Sequence, residues 1–103
     1  MDIIWSEHSK ADLRNFLDNV REGTEKSANN YILNLMDYTT VLKDDPYLGK
    51  AITKSNSEYI RQLIYRKHKI LYTIYDDYIL VLAVVHSSRN MDNFFKTFLS
   101  DNF

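Results

Sequence analysis

The chain contains no cysteine, one proline and only two glycines among its 103 residues. The lack of cysteine excludes disulfide bonds and thiolate metal sites, and it fits a reducing cytoplasm. Neither Gly23 nor Gly49 leads from a strand into a helix, so the sequence has no glycine-rich phosphate loop. The longest apolar run, Tyr78–Val85, covers about eight residues, far fewer than the roughly 20 of a membrane-spanning helix. We therefore expect a soluble, cytoplasmic protein.

Length and composition predict a single domain over residues 1–103, because a chain of this size has room for one hydrophobic core. Apolar residues make up 45% and charged residues 26% of the chain, as is usual for a globular protein. Met1–Trp5 is followed at once by polar and charged residues, so we expect no signal peptide. The three histidines, His8, His68 and His86, have no spacing typical of a metal site. We expect neither a metal nor a cofactor.

The first half of the chain has the pattern of a strand followed by two amphipathic helices. Asp2–Trp5 is predicted to be the strand, and Ser6 is suited to cap the helix that follows. We expect Gly23 to stop this helix, Thr24 to cap the next one, and the second helix to reach about Lys43. The apolar stripes that indicate the two helices are Leu13, Phe16, Leu17 and Val20, and then Ala28, Tyr31, Ile32, Leu35 and Leu42.

The second half has the pattern of a small sheet and a final helix. Residues 50–57 are polar and are predicted to form a loop. Three strands are expected near residues 58–65, 68–75 and 78–86, with Asp76-Asp77 as a hairpin turn. The last of these strands is apolar on both faces, which is typical of a central, doubly covered strand. A helical stripe of Met91, Phe94, Phe95, Phe98 and Leu99 begins near Asn90. The predicted fold is α+β, in the order β-α-α-β-β-β-α, with an antiparallel-rich sheet against a helical hairpin and a C-terminal helix.

Positive charge is concentrated in one stretch of a chain whose net charge is only −1. Residues 61–69 contain Arg61, Arg66, Lys67, His68 and Lys69 and no acidic residue. The near-neutral total argues against nucleic-acid binding over the whole surface. A basic hairpin is instead suited to a confined anionic target, either phosphates or an acidic partner. The alternative is a solvated hairpin whose charge has no specific partner.

The ordered motifs along the chain are Arg61-Gln-Leu63, Lys69-Ile-Leu-Tyr72, Asp76-Asp77 and His86-Ser-Ser-Arg89. Together with the preceding strand and two helices, they resemble the RelE/ParE superfamily of bacterial toxins. The usual pattern in that superfamily is R-x-L, then Y-R-I-x-Y, a hairpin turn, and a hydrophobic strand that ends in H-x-x-R or H-x-R-R. The resemblance covers essentially the whole chain in the same order.

The resemblance implies the toxin of a type II toxin–antitoxin module, which arrests growth and is bound by a cognate antitoxin. RelE-like members cut messenger RNA on the ribosome, whereas ParE-like members inhibit DNA gyrase and have no nuclease chemistry. On the sequence we expect the ribosome and mRNA to be the target, ahead of DNA gyrase. An inactive family member that only binds a partner is a third interpretation.

Under the first interpretation, metal-free RNA cleavage requires cations around the phosphate and a group that moves protons. Arg61, Lys69 and Arg89 are the expected catalytic cations, and His86 is the expected acid or base. Arg66, Lys67 and His68 are predicted to contact nucleic acid. The chain departs from the nuclease pattern at three places. Lys69 replaces the usual Arg, Gln62 and Leu63 stand where nucleases tend to add a Lys, and Phe94 or Phe95 matches the C-terminal Tyr of some members.

Overall fold

The computed structural model describes residues 1–52 and 59–102, and within them five strands form one sheet. The strand order is β1-β5-β4-β3-β2, with β1 parallel to β5 and every other pair antiparallel. The strands are β1 (Asp2–Trp5), β2 (Lys50–Ile52), β3 (Ile60–Tyr65), β4 (His68–Ile74) and β5 (Tyr78–His86). With three helices, this arrangement confirms the predicted α+β fold.

The first helix begins where β1 leaves the sheet. As predicted, Ser6 caps helix α1 (Glu7–Asp18), because its hydroxyl oxygen accepts a hydrogen bond of 3.1 Å from the Ser9 amide. The same hydroxyl donates to the Leu82 carbonyl on β5 at 3.0 Å. Ser6 therefore both starts α1 and fixes it to the sheet.

The second helix, α2, spans Glu25–Thr39 and continues as a 3₁₀ turn over Thr40–Lys43, so the predicted end near Lys43 is confirmed. The turn between α1 and α2 differs from the prediction. Helix α1 ends at Asp18, well before Gly23, which lies inside the connecting turn with φ at 87°. Thr24 precedes α2, but its side chain makes no capping hydrogen bond and instead donates to the Arg21 carbonyl.

The sheet is covered on both faces. The α1–α2 hairpin packs on one face over a cluster that includes Leu35, Leu42, Ile70, Tyr72, Ile79 and Val81. Helix α3 (Met91–Asn102) packs on the other face over Ile60, Leu71, Leu82, Ala83, Val85, Phe94, Phe95 and Phe98. Strand β5 contributes to both clusters, which confirms that it is doubly covered. The middle position of the sheet, however, belongs to β4.

The predicted loop at residues 50–57 is wrong for its first three residues. Lys50–Ile52 forms the edge strand β2, paired with β3 so that Lys50 lies opposite Gln62 and Ile52 opposite Ile60. Residues 53–58, which include the rest of that loop and the predicted start of the next strand, lie outside the described residues. A three-residue strand has too few side chains to give a periodic pattern, and its pairing depends on contacts distant in sequence.

Tight turns connect β3 to β4 and β4 to β5. The Asp76-Asp77 turn is confirmed, since the Tyr75 amide donates to the Tyr78 carbonyl at 2.9 Å across it. The β3–β4 turn is formed by Arg66 and Lys67, and Arg66 has φ at 50°, in the left-handed region that favours glycine. In the described ranges, no helix is both long enough and apolar enough to cross a membrane.

Candidate functional site

Two histidines meet where β4 begins and β5 ends. His68 and His86 are directly paired across these strands, and their ring centroids lie 5.6 Å apart. His68 is half-buried below the α1–α2 hairpin, where its Nδ1 lies 2.7 Å from the hydroxyl of Tyr31. The Phe16 ring packs against it nearly at a right angle, with centroids 5.4 Å apart. The hairpin therefore holds His68 in place, whereas His86 is exposed.

The environment of His68 keeps it neutral. Burial, followed by the repulsion that His86 exerts when both rings are protonated, lowers the pKa of His68 from its ordinary value. Burial also raises the pKa of Tyr31, so its hydroxyl keeps its proton. We assign the short contact as Tyr31 donating to Nδ1 of His68, which places the imidazole proton on Nε2.

His86 is oriented by the turn that follows it. The Ser88 amide donates to Nδ1 of His86 at 3.1 Å, and the Ser88 hydroxyl lies 2.7 Å from the same atom. Since a backbone N–H is always a donor, Nδ1 is an acceptor and the neutral ring carries its proton on Nε2. His86 thus has the tautomer and exposure that proton transfer to an external group requires.

Arg61 lies at the other end of the sheet from the histidine pair. It is paired with Tyr72, which is four residues from His68 along β4, a separation of about 13 Å. Its guanidinium donates to the Gly49 carbonyl at 2.7 Å and lies 4.8 Å from the ring centroid of Tyr47. These contacts fix the loop before β2, so the structure does not bring Arg61 to His86.

Lys69 lies on the opposite face of the sheet from the histidine pair. Side chains alternate along a strand, and His68 faces the α1–α2 hairpin. Lys69 is paired with Val85, which belongs to the cluster under α3. The sheet therefore separates the Lys69 ammonium from the rings of His68 and His86.

Arg89 is bonded to His86 through its backbone, and its side chain extends toward α3. The Arg89 amide donates to the His86 carbonyl at 3.0 Å and closes the turn after β5. Its guanidinium carbon lies 4.9 Å from the ring centroid of Phe94, over the first turn of α3. The structure thus brings together His68 and His86, and it places Arg61 and Lys69 away from them.

The predicted nucleic-acid contacts, Arg66, Lys67 and His68, do lie together. They form one wall of an open cleft of about 570 Å³ between the β3–β4 turn and the α1–α2 turn. Arg21, which the sequence analysis did not single out, faces them from the α1–α2 turn. Arg21 lies near the basic hairpin only because the two turns approach each other in the folded chain. No motif in the sequence could therefore have identified it.

A second residue missed from the sequence is Asp12, which closes the edge of β5 beyond the end of β1. Its Oδ2 accepts a hydrogen bond of 2.9 Å from the Val84 amide and lies 3.2 Å from Nδ1 of His8. Burial raises the pKa of Asp12, and the Val84 hydrogen bond and His8 partly oppose that shift. Within the described residues, no three His, Cys, Asp or Glu side chains are grouped to hold a metal ion.

A helical hairpin covers one face of the mostly antiparallel sheet, and a C-terminal helix covers the other. This is the fold of the toxins of type II toxin–antitoxin systems. The family model described as "ParE toxin of type II toxin-antitoxin system, parDE" matches residues 3–91. The chain belongs to this ParE toxin family, which confirms the predicted RelE/ParE relationship. Family membership implies a cognate antitoxin as a partner.

Solved structures with the same fold come from several bacteria. A chain of the chromosomal ParDE system from P. aeruginosa is 18% identical with a TM-score of 0.70, over 84% of this chain and 95% of that one. A YoeB/ParE toxin from Agrobacterium tumefaciens is 14% identical with a TM-score of 0.58, over 84% and 98%. The YoeB dimer from Staphylococcus aureus gives 18% identity and a TM-score of 0.57, over 81% and 92%. No curated protein matches the chain significantly.

Proposed function

We propose that this toxin arrests growth by inhibiting DNA gyrase, and that it does not cleave RNA. The proposal reverses the order of the two targets expected from the sequence. It is supported by the match to the ParE family, whose ParE-like members inhibit gyrase, and by the dispersal of the expected catalytic side chains. The dispersal is the observation that carries the proposal.

Phosphodiester cleavage without a metal depends on cations and a proton-transfer group that converge on one phosphate. A phosphate is only a few ångströms across, so groups that serve it must lie within hydrogen-bond reach of a common point. Arg61 is about 13 Å along the sheet from the row of His86, and Lys69 lies on the opposite face. The Arg89 guanidinium is stacked on Phe94. Arg61 and Lys69, two of the three expected catalytic cations, therefore do not converge with His86 on one phosphate.

The C-terminal helix offers no proton donor at the positions that match the nuclease tyrosine. Phe94 and Phe95 are each only 5% exposed and pack in the cluster under α3. A phenyl ring carries no exchangeable proton, and both rings serve the core. This supports a function that needs a binding surface rather than an acid.

Ribosome-dependent mRNA cleavage is the second candidate, and the geometry of His86 favours it. The exposed ring is held by Ser88 with Nε2 as the protonated nitrogen, beside a second imidazole. An imidazole held in this way can accept a proton from a bound group or donate one to it. In this case the ribosome would align the RNA and supply what the separated cations do not.

Parallel assays on one preparation distinguish the two targets. With purified gyrase and supercoiled plasmid, we expect the toxin to inhibit supercoiling or to trap gyrase on cleaved DNA. With programmed ribosomes, we expect the mRNA to stay intact. The matched variant is His86→Ala, which removes the exposed imidazole and should leave the gyrase effect unchanged. The proposal would be overturned if the parent cut the mRNA, the His86→Ala variant left it intact, and gyrase were unaffected.

A further inference from the structure

We propose that the cleft between the α1–α2 turn and the β3–β4 turn, here called the basic cleft, binds an acidic segment of the cognate antitoxin with an apolar side chain on its floor. The basic cleft is lined by Arg21, Arg66, Lys67 and His68 at its rim and by apolar side chains, including Val20 and Ala28, at its floor. The inference rests on the chain being a toxin with an antitoxin partner. It is independent of whether gyrase or the ribosome is the target.

Charge is the first observation that selects the occupant. Arg21, Arg66 and Lys67 are all exposed, and none of the residues that line the basic cleft is Asp or Glu. The acids nearest in sequence to Arg21, Glu22 and Glu25, do not line it. On a chain with a net charge of −1, this is a local excess of three positive charges. Such a rim attracts carboxylates and repels a basic segment.

The apolar floor is the second observation, and it favours a peptide over a nucleic acid. A bound polypeptide uses an apolar anchor at the centre of its contact and charges at the rim. Single-stranded nucleic acid instead needs aromatic faces on which bases stack. Here the Phe16 and Tyr31 rings stack on each other with centroids 5.6 Å apart, and Tyr31 also packs against Tyr65 and His68. These rings contact one another and are poorly placed to receive bases.

Backbone strain at the rim is a third observation. Arg66 has a φ of 50°, a left-handed conformation that is strained for a residue other than glycine. Glycine would relieve this strain but would remove the charge that Arg66 brings to the rim. At this position the Arg66 side chain adds a positive charge to the rim of the basic cleft. An occupant of the basic cleft would also cover His68, which forms part of its wall.

Affinity measurements with the full chain and its cognate antitoxin, obtained by co-purification, test this assignment. The double variant Arg21→Glu/Lys67→Glu should weaken the complex about 30-fold or more, because two rim charges then repel the acidic segment. The matched control is Arg14→Glu/Lys96→Glu, which makes the same charge change at exposed positions of α1 and α3 outside the basic cleft. It should weaken binding less than about threefold.

Hydrogen exchange adds a readout that does not depend on charge. We expect the antitoxin to slow exchange of amides in residues 19–28 and 65–68 of the unsubstituted toxin. Equal weakening by both double variants, or no protection in these two segments, would overturn the proposal. Competition by a thymidine dodecanucleotide at the same segments would assign the cleft to nucleic acid instead. Gyrase inhibition by the free single variant Arg21→Glu should persist, so this test and the test of the target fail separately.

Discussion

Replacing Tyr72 by Phe should destabilise the protein strongly, although it removes a single oxygen atom. The Tyr72 side chain is fully buried, and its hydroxyl bridges two backbone groups of the turn before β2. It donates to the Pro46 carbonyl at 2.7 Å and accepts from the Gly49 amide at 2.9 Å. A Cβ at Gly49 would lie 2.5 Å from this same hydroxyl, so only glycine fits there. The substitution therefore leaves a buried donor and a carbonyl without their partner.

An unsatisfied buried polar group costs about 1–3 kcal/mol, so we expect Tyr72→Phe to lower the free energy of unfolding by about 2 kcal/mol. For a domain of this size, each kcal/mol corresponds to about 4–8 °C in Tm, which gives a decrease of roughly 8–16 °C. Thermal unfolding followed by circular dichroism measures it. The control is Tyr38→Phe, at a side chain that is 41% exposed, where a change below about 0.5 kcal/mol is expected.

A Tm for Tyr72→Phe within about 2 °C of the unsubstituted protein would refute this reasoning. It would mean that water or a shifted backbone satisfies the Pro46 and Gly49 groups equally well. A similar decrease for Tyr38→Phe would likewise show that loss of any tyrosine hydroxyl, rather than of this bridge, sets the stability.

Three further predictions concern titration and backbone strain. NMR titration should give His68 a pKa below about 6.5. Because His68 then binds protons more tightly in the unfolded chain, the free energy of unfolding should fall as pH drops below about 6.5. His68→Gln should reduce that fall. An unchanged slope of the free energy of unfolding against pH in this variant would contradict the prediction. Asp12→Asn keeps an oxygen that accepts from the Val84 amide and removes the buried charge. As pH rises through the raised pKa of Asp12, the parent acquires that charge, so the variant should become more stable relative to the parent. A difference in denaturant midpoints that does not change with pH would contradict this prediction. Arg66→Gly should raise the free energy of unfolding by roughly 0.5 kcal/mol, because glycine adopts positive φ without strain; a lower Tm would contradict that.

The elements that the sequence predicts well are those with a repeated apolar pattern. The stripe of α2 and the doubly apolar β5 specify their own burial, and both are found as predicted. Strand β2 could not be predicted in this way. Its three residues join the sheet because Tyr72 and Arg61 hold the preceding turn, and these contacts span more than ten positions of the chain.

The candidate site was predicted as residue types but not as an arrangement. Adjacent residues of the basic stretch, such as His68 and Lys69, lie on opposite faces of the sheet because side chains alternate along β4. The strand register then places Arg61 far from His86. The proximity of Arg21 to Arg66 depends on how the two turns meet, which no local pattern encodes.

Induced expression of the parent and of His86→Ala in a bacterium that carries a DNA-damage reporter tests the central claim most directly. Inhibition of gyrase without nuclease chemistry predicts growth arrest with reporter induction, equally for both proteins, because His86 is exposed and belongs to neither core cluster. The account would be contradicted if cells that express the parent showed cleaved mRNA and a silent reporter, and if soluble His86→Ala no longer arrested growth.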